Sequence, residues 1–189
     1  MNNEDFDIKI FSPVKKIEST EPVIIADEMK RQVVSGNLQK AKLLGESIAD
    51  SFPEAAQKKE LLGLAENCGV GLTREIKDQA IILSVFTAEY CLNNILPDSI
   101  LSTSAVSTLY DTLIADSPEL YNKLLASTAF SFYYMNIENK TADSNVIGET
   151  FAMLCGKKSS ECHINYGKNI FEDAFKQYRA AVESVEFAK

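Results

Sequence analysis

The chain has 189 residues, with 19 Lys and Arg against 27 Asp and Glu, so its formal charge at pH 7 is −8. An acidic surface repels phosphate backbones and anionic lipid headgroups, so we expect neither nucleic acid nor a membrane as partner. The hydrophobic fraction of 46% and the charged fraction of 24% are ordinary for a globular protein with one core.

Residues 1–19 differ from the rest of the chain. In DFDIKIF, Phe6, Ile8 and Ile10 alternate with polar residues, which is the period of a β-strand. No other strand is predicted, so we expect a short N-terminal arm, extended or disordered, or a strand that adds to a partner's sheet edge. A single helical domain then covers residues 20–189.

From residue 20 onward the pattern is helical. Thr20 and Pro22 are start signals for the first helix, and Gly36 is its stop signal. A second helix follows at once. Pro53 opens a third helix, which closes at Gly69.

Three longer helices come next. Thr73 is the predicted N-cap of a helix that ends before Pro97, and the segment DSILSTSAVSTLYDTLIADS forms the fifth helix. Pro118 opens a sixth helix, predicted to continue unbroken through ASTAFSFYYMNIE. Residues 80–92 and 124–135 are apolar on nearly every face, so we expect both at the centre of the bundle.

Two helices complete the chain, VIGETFAMLCGKK and a segment from about Ser160 to Phe187. The last carries Phe171, Phe175 and Tyr178 on one face, and we expect the first and last helices at the periphery. The fold class predicted is therefore all-α, an irregular multihelical bundle of about eight helices with the short extended arm.

Cys155, Cys162 and His163, the only histidine, lie close together in the sequence. A structural zinc site needs four ligands, usually in two short-spaced pairs, so three ligands at this spacing predict no metal. A redox pair has more support, because a thiolate at Cys162 would be stabilised in the first turn of a helix. The alternative is that Cys155 is a small core residue and His163 helps to cap the helix.

Two carboxylates and two tyrosines form a hypothetical ligand site. Glu89 lies within the apolar segment SVFTAEYCLNN, where burial would raise the pKa of its carboxyl group and fit it for acid or base chemistry. Glu149 is a second carboxylate in an apolar setting, and Tyr133 and Tyr134 could wall a pocket. The alternative is that Glu89 lies on a wet helix edge or pairs with a basic residue, and that the tyrosines are core.

Three functions follow from these patterns. We favour a non-enzymatic protein-interaction module that binds a protein partner or forms a homo-oligomer, since no catalytic motif is present. The alternatives are a small-molecule binder or enzyme with a pocket between the central helices, and a thiol sensor at Cys155 and Cys162. No cofactor is predicted, and whether the protein is an enzyme stays open.

With four cysteines, no export signal and no run of roughly 20 apolar residues, we expect a soluble cytoplasmic protein.

Overall fold

The computed structural model describes residues 22–52, 54–137 and 142–188, and within these ranges the chain forms nine α-helices and no strand. The helices are α1 (Pro22–Val34), α2 (Asn37–Ala49), α3 (Glu54–Cys68), α4 (Arg74–Ile95), α5 (Ser99–Asp116), α6 (Pro118–Ala126), α7 (Ala129–Met135), α8 (Ser144–Leu154) and α9 (Glu161–Glu183). The prediction of an all-α multihelical fold is confirmed. The arm at 1–19 and the boundary at residue 20 lie outside the described residues.

Most helix ends fall where short-range signals place them. The Thr73 hydroxyl accepts a hydrogen bond from the backbone N–H of Ile76 at 3.3 Å, which caps α4 as predicted. Gly36, Gly69 and Gly156 follow the ends of α1, α3 and α8 with φ of 75°, 68° and 67°. Glycine adopts this left-handed conformation without the steric cost that a Cβ atom brings, so it ends helices cleanly.

The helix predicted to run on from Pro118 is instead two helices, α6 and α7. Ser127 has an extended backbone, with φ −94° and ψ 137°, and its hydroxyl accepts a hydrogen bond from the N–H of Ala129 at 3.1 Å. A serine hydroxyl competes in this way with the helical hydrogen bonds. The break at Ser127 and Thr128 accounts for nine helices where about eight were expected.

Helix α4 is central, as predicted, and every residue from Ile82 to Leu92 is buried. It packs against α5, α7 and α9. The second helix predicted to be central, over residues 124–135, is not: α6 and α7 bury few residues, and Phe132 and Met135 are exposed. A run of apolar residues does not by itself show that every face of a helix is covered.

Helix α9 faces the core with one side only, because Glu172, Asp173 and Lys176 on its other side are exposed, which fits its predicted peripheral position. It packs against α3, α4 and α8. A Cβ atom on Gly167 of α9 would lie 2.5 Å from the Cβ atom of Phe151 on α8, and one on Gly148 of α8 would lie 2.5 Å from the carbonyl oxygen of Ile164. Two glycines, one on each helix, therefore let α8 and α9 approach closely along the buried face of α9.

Helices α2 and α5 pack in the same way. A Cβ atom on Gly45 would lie 2.1 Å from the carbonyl oxygen of Ala105, so only glycine fits at this position. Helix α1 packs mainly against α2 and is peripheral, as predicted. Among the described helices, none combines the length and the apolar character needed to cross a membrane.

Candidate functional site

Glu89 lies in the middle of α4 and is 1% exposed. The Tyr134 hydroxyl donates a hydrogen bond to its Oε1 atom at 2.6 Å, and the Tyr110 hydroxyl donates to its Oε2 atom. Burial raises the pKa of Glu89, and the two phenol hydrogen bonds lower it by less. Burial, together with the neighbouring carboxylate, also raises the pKa of Tyr110. The buried Glu89 and the two partly buried tyrosines form a polar cluster that links α4, α5 and α7.

The structure brings together only part of the predicted ligand site. Glu89 and Tyr134 meet, whereas Tyr133 is fully buried against Phe86, with ring centroids 4.9 Å apart. Its hydroxyl has no hydrogen-bond partner among the described residues. Glu149 is exposed on α8, so the apolar setting expected for it is wrong.

Tyr110 was not among the predicted site residues. It lies on the largely apolar segment of α5, where sequence patterning assigns a tyrosine to the core. A buried carboxylate needs hydrogen-bond donors. A hydrogen-bond donor for Glu89 could therefore be expected from the sequence. Its identity could not, because residues 89 and 110 lie on different helices and no sequence spacing shows that they meet.

The cysteine segment is a helix corner. Cys155 follows the end of α8 and is half-buried, Cys162 is exposed in the first turn of α9, and both are free thiols. Burial raises the pKa of Cys155 to about 12, so this thiol is protonated at neutral pH and is a poor nucleophile. The redox pair stays a prediction. In the described part of the chain, no group of three His, Cys, Asp or Glu side chains is arranged to hold a metal ion.

His163 contacts a side chain next to the start of α9 and not a backbone N–H group, so this contact is not a helix cap. Its Nδ1 atom lies 2.8 Å from the hydroxyl oxygen of Ser160, the residue that precedes α9. Burial lowers the pKa of His163, and the charge of Lys157 lowers it further. The imidazole is therefore held at the start of α9 in its neutral form near pH 7.

A cleft of about 620 Å³ lies between α3 and α9, a volume within the range of small-molecule sites. Its lining is mixed polar and apolar and includes Lys59, Asn67, Ser84, Asp173, Gln177 and Tyr178. The helices that form it are about one hundred residues apart in the chain, so sequence patterning did not indicate it.

Helix α1 exposes apolar side chains and buries a polar one. Ile25, Met29 and Val33 follow each other at four-residue spacing and are 39%, 49% and 55% exposed. We call these three residues the α1 stripe. Gln32 is only 4% exposed. A surface helix normally turns its apolar stripe toward the core, so α1 has the reverse arrangement over residues 25–34, whose side chains the structure describes.

Hydrogen bonds hold the buried side of α1. The Asn37 side-chain amide donates to Gln32 Oε1 and to the carbonyl oxygen of Ala188, both at 2.8 Å. The backbone N–H of Ala188 donates to Asn37 Oδ1, also at 2.8 Å, and Gln32 donates to Glu28. We call these four residues the α1 network. Because it is polar and satisfied, it fixes α1 on α2 without using the α1 stripe.

No protein-family model, no curated protein and no solved structure matches the chain. Its function therefore has to be inferred from its own residues.

Proposed function

We propose that the protein is a non-enzymatic protein-interaction module whose docking surface is the α1 stripe. The observation that carries this proposal is the reversed arrangement of α1, which turns Ile25, Met29 and Val33 to solvent and Gln32 inward. Scattered single apolar residues are normal on a protein surface, but three on one helix face at four-residue spacing form the pattern by which helices dock. A cytoplasmic location and a partner that is neither nucleic acid nor membrane belong to the same proposal.

The free energy gained by covering the α1 stripe is sufficient for a transient contact with a partner. Fully burying an aliphatic side chain contributes about 1.5–3 kcal/mol. Each residue of the α1 stripe is already about half covered. Covering all three thus contributes roughly 3 kcal/mol before the cost of association. A contribution of this size fits a partner that binds weakly and dissociates readily.

Cross-linking in cells that express the full chain tests the proposal. Lys30 lies beside the α1 stripe and is highly exposed, so an amine-reactive cross-linker at Lys30 reports whatever covers the stripe. We expect Val33→Glu to abolish the cross-linked species, because a charge would be buried in the contact.

Val34→Glu is the matched control, since it places the same charge on the adjacent residue, which is 88% exposed and lies on another face of α1. It should leave the species unchanged. Equal loss in both variants, or no species at all, would contradict the proposal.

The cleft between α3 and α9 supports a second candidate, a small-molecule binding protein. Gly63 lines this cleft, and nothing lies within 4 Å of the position that its Cβ atom would occupy. Native mass spectrometry of freshly purified protein should then show a bound mass that Gly63→Phe removes and Gly63→Ala retains. A bare chain in all three samples would rule this candidate out.

A further inference from the structure

The cleft between α3 and α9 contains hydroxyl groups that can only accept hydrogen bonds from a ligand. Ser84 lines the cleft and is 5% exposed, and its hydroxyl donates to the carbonyl oxygen of Ala80 at 3.0 Å. Ser51, which also lines the cleft, donates to the carbonyl oxygen of Ile48 at 2.6 Å. Because each hydroxyl proton is already bound to a backbone carbonyl, the two oxygen atoms are left as acceptors.

The charged side chains of the lining are unequal in sign. Glu60 of α3 and Asp173 of α9 contribute two carboxylates, one from each helix, and Lys59 contributes one ammonium group. All three are exposed, and in the part of the chain that the structure describes none of them forms an ion pair. The cleft therefore carries a net negative charge in a chain whose formal charge is −8, and such a cleft concentrates cations.

The apolar part of the lining is mainly aliphatic. Leu61 and Leu64 of α3, with Ile170 and Ala174 of α9, supply methyl and methylene surface. Among the lining residues that the structure describes, Tyr178 is the only aromatic one. This surface suits a chain of CH₂ groups better than a stacked ring.

From this pattern we propose that the cleft binds a linear aliphatic polyamine, with ammonium groups at the two carboxylates and CH₂ groups against the aliphatic lining. An ammonium group donates up to three hydrogen bonds and accepts none, so it matches carboxylates and acceptor-only hydroxyls. An anion would meet two carboxylates of its own sign. A zwitterion with one ammonium group would leave one of the two carboxylates without a partner.

The inference rests on the second candidate function, because it assumes that the cleft is a small-molecule site. It is independent of the α1 stripe, since none of the three stripe residues lines the cleft.

Calorimetric titration of the full chain with spermidine tests the inference. At about 0.15 M salt, Glu60→Gln and Asp173→Asn should each weaken binding about fivefold, because each removes one ammonium partner. Glu66→Gln on α3 and Glu172→Gln on α9 are the matched controls, since they remove the same charge outside the cleft lining. The controls should change the affinity by less than about twofold. All four side chains are exposed, so the substitutions leave the core intact.

Lys59→Gln separates a polyamine from ligands that carry a carboxylate or phosphate group. Removing this positive charge should strengthen spermidine binding about twofold, because a repulsion is lost. Weaker binding of spermidine to Lys59→Gln would overturn the inference. Equal weakening by the controls and by the two cleft substitutions would also overturn it, because the attraction would then belong to the whole acidic chain.

Failure of the polyamine and failure of the second candidate function are distinguishable. If spermidine does not bind, yet native mass spectrometry shows a bound mass that Gly63→Phe removes, the ligand class is wrong and the cleft remains the site. If spermidine does not bind and no bound mass is found, both the ligand class and the small-molecule site are wrong.

Discussion

Helix α2 packs against α5 and against α1, and the two contacts are made by opposite means. Toward α5 it presents Gly45, and the two backbones approach so closely that no side chain fits. Toward α1 it presents Asn37, whose amide group hydrogen-bonds Gln32 and the backbone of Ala188. Contacts of the first kind build a core, because they remove apolar surface from water. The second kind positions a helix while leaving its apolar residues free for another surface.

The largest effect should come from Gly45→Ala. The added Cβ atom would lie 2.1 Å from the carbonyl oxygen of Ala105, so α2 and α5 must separate. We expect the free energy of unfolding to fall by about 3 kcal/mol. Urea unfolding would measure it.

Gly63→Ala is the control, because its Cβ atom would meet nothing within 4 Å and alanine favours a helix over glycine. A gain of about 0.5–1 kcal/mol is expected there. Similar losses in both variants would show that helix propensity, and not the close approach, governs the result.

Asn37→Ala tests the polar side of α2. It leaves Gln32 Oε1 and both backbone groups of Ala188 without their partner, so we expect a loss of about 2 kcal/mol. The loss should be local, with α1 detaching before the core unfolds. Hydrogen exchange would then show faster exchange in α1 and unchanged exchange in α4. A uniform increase across both helices would contradict a separable α1.

Glu89 is a second buried polar residue, and unlike Asn37 it has a side chain that titrates, so its effect on stability depends on pH. Burial raises its pKa above the ordinary value of 4.5, so the folded protein retains a proton that the unfolded chain releases. Stability therefore falls as pH rises from 4.5 to the folded pKa and stays at the lower level above it.

Glu89→Gln should flatten this decline, since an amide does not titrate, whereas Asn37→Ala should shift the whole curve without changing its slope. Urea midpoints between about pH 4 and pH 7 would measure both. Identical slopes for Glu89→Gln and the unmodified chain would show that Glu89 does not titrate in this range.

The smallest effect belongs to the α1 stripe. Val33→Glu replaces a side chain that is 55% exposed, so the free energy of unfolding of the monomer should change by no more than about 0.5 kcal/mol. Measured at low protein concentration, this separates a docking residue from a core residue. A loss of 2 kcal/mol or more would place Val33 in the core instead.

Sequence patterns predicted the features that depend on neighbouring residues. The stop at Gly36, the cap at Thr73 and the buried run in α4 are local, because each follows from conformational preferences or periodicity within a few turns. The break at Ser127 also depends on neighbouring residues. A serine followed by a threonine within a long apolar segment is, however, too weak a signal to predict a helix end from the sequence.

The candidate sites were less predictable, since they arise between distant segments. Glu89 was identified from its apolar surroundings, but its second partner, Tyr110, is defined by how α4 crosses α5. The orientation of α1 was equally hidden. The sequence predicted a peripheral first helix without indicating which side it buries, and the hydrogen bonds from Asn37 to Gln32 and Ala188 show that Gln32 lies on the buried side.

The hydrogen bond between Ala188 and Asn37 makes the exchange rate of one amide proton a measure of opening at this end of the molecule. The amide proton of Ala188 is held by Asn37 Oδ1, on the helix against which α1 packs. Its exchange with solvent therefore registers how often this end of the molecule opens, although 151 residues separate the two positions in the chain. Slower exchange at that single amide when a binding partner is added would show that the partner holds α1 against α2.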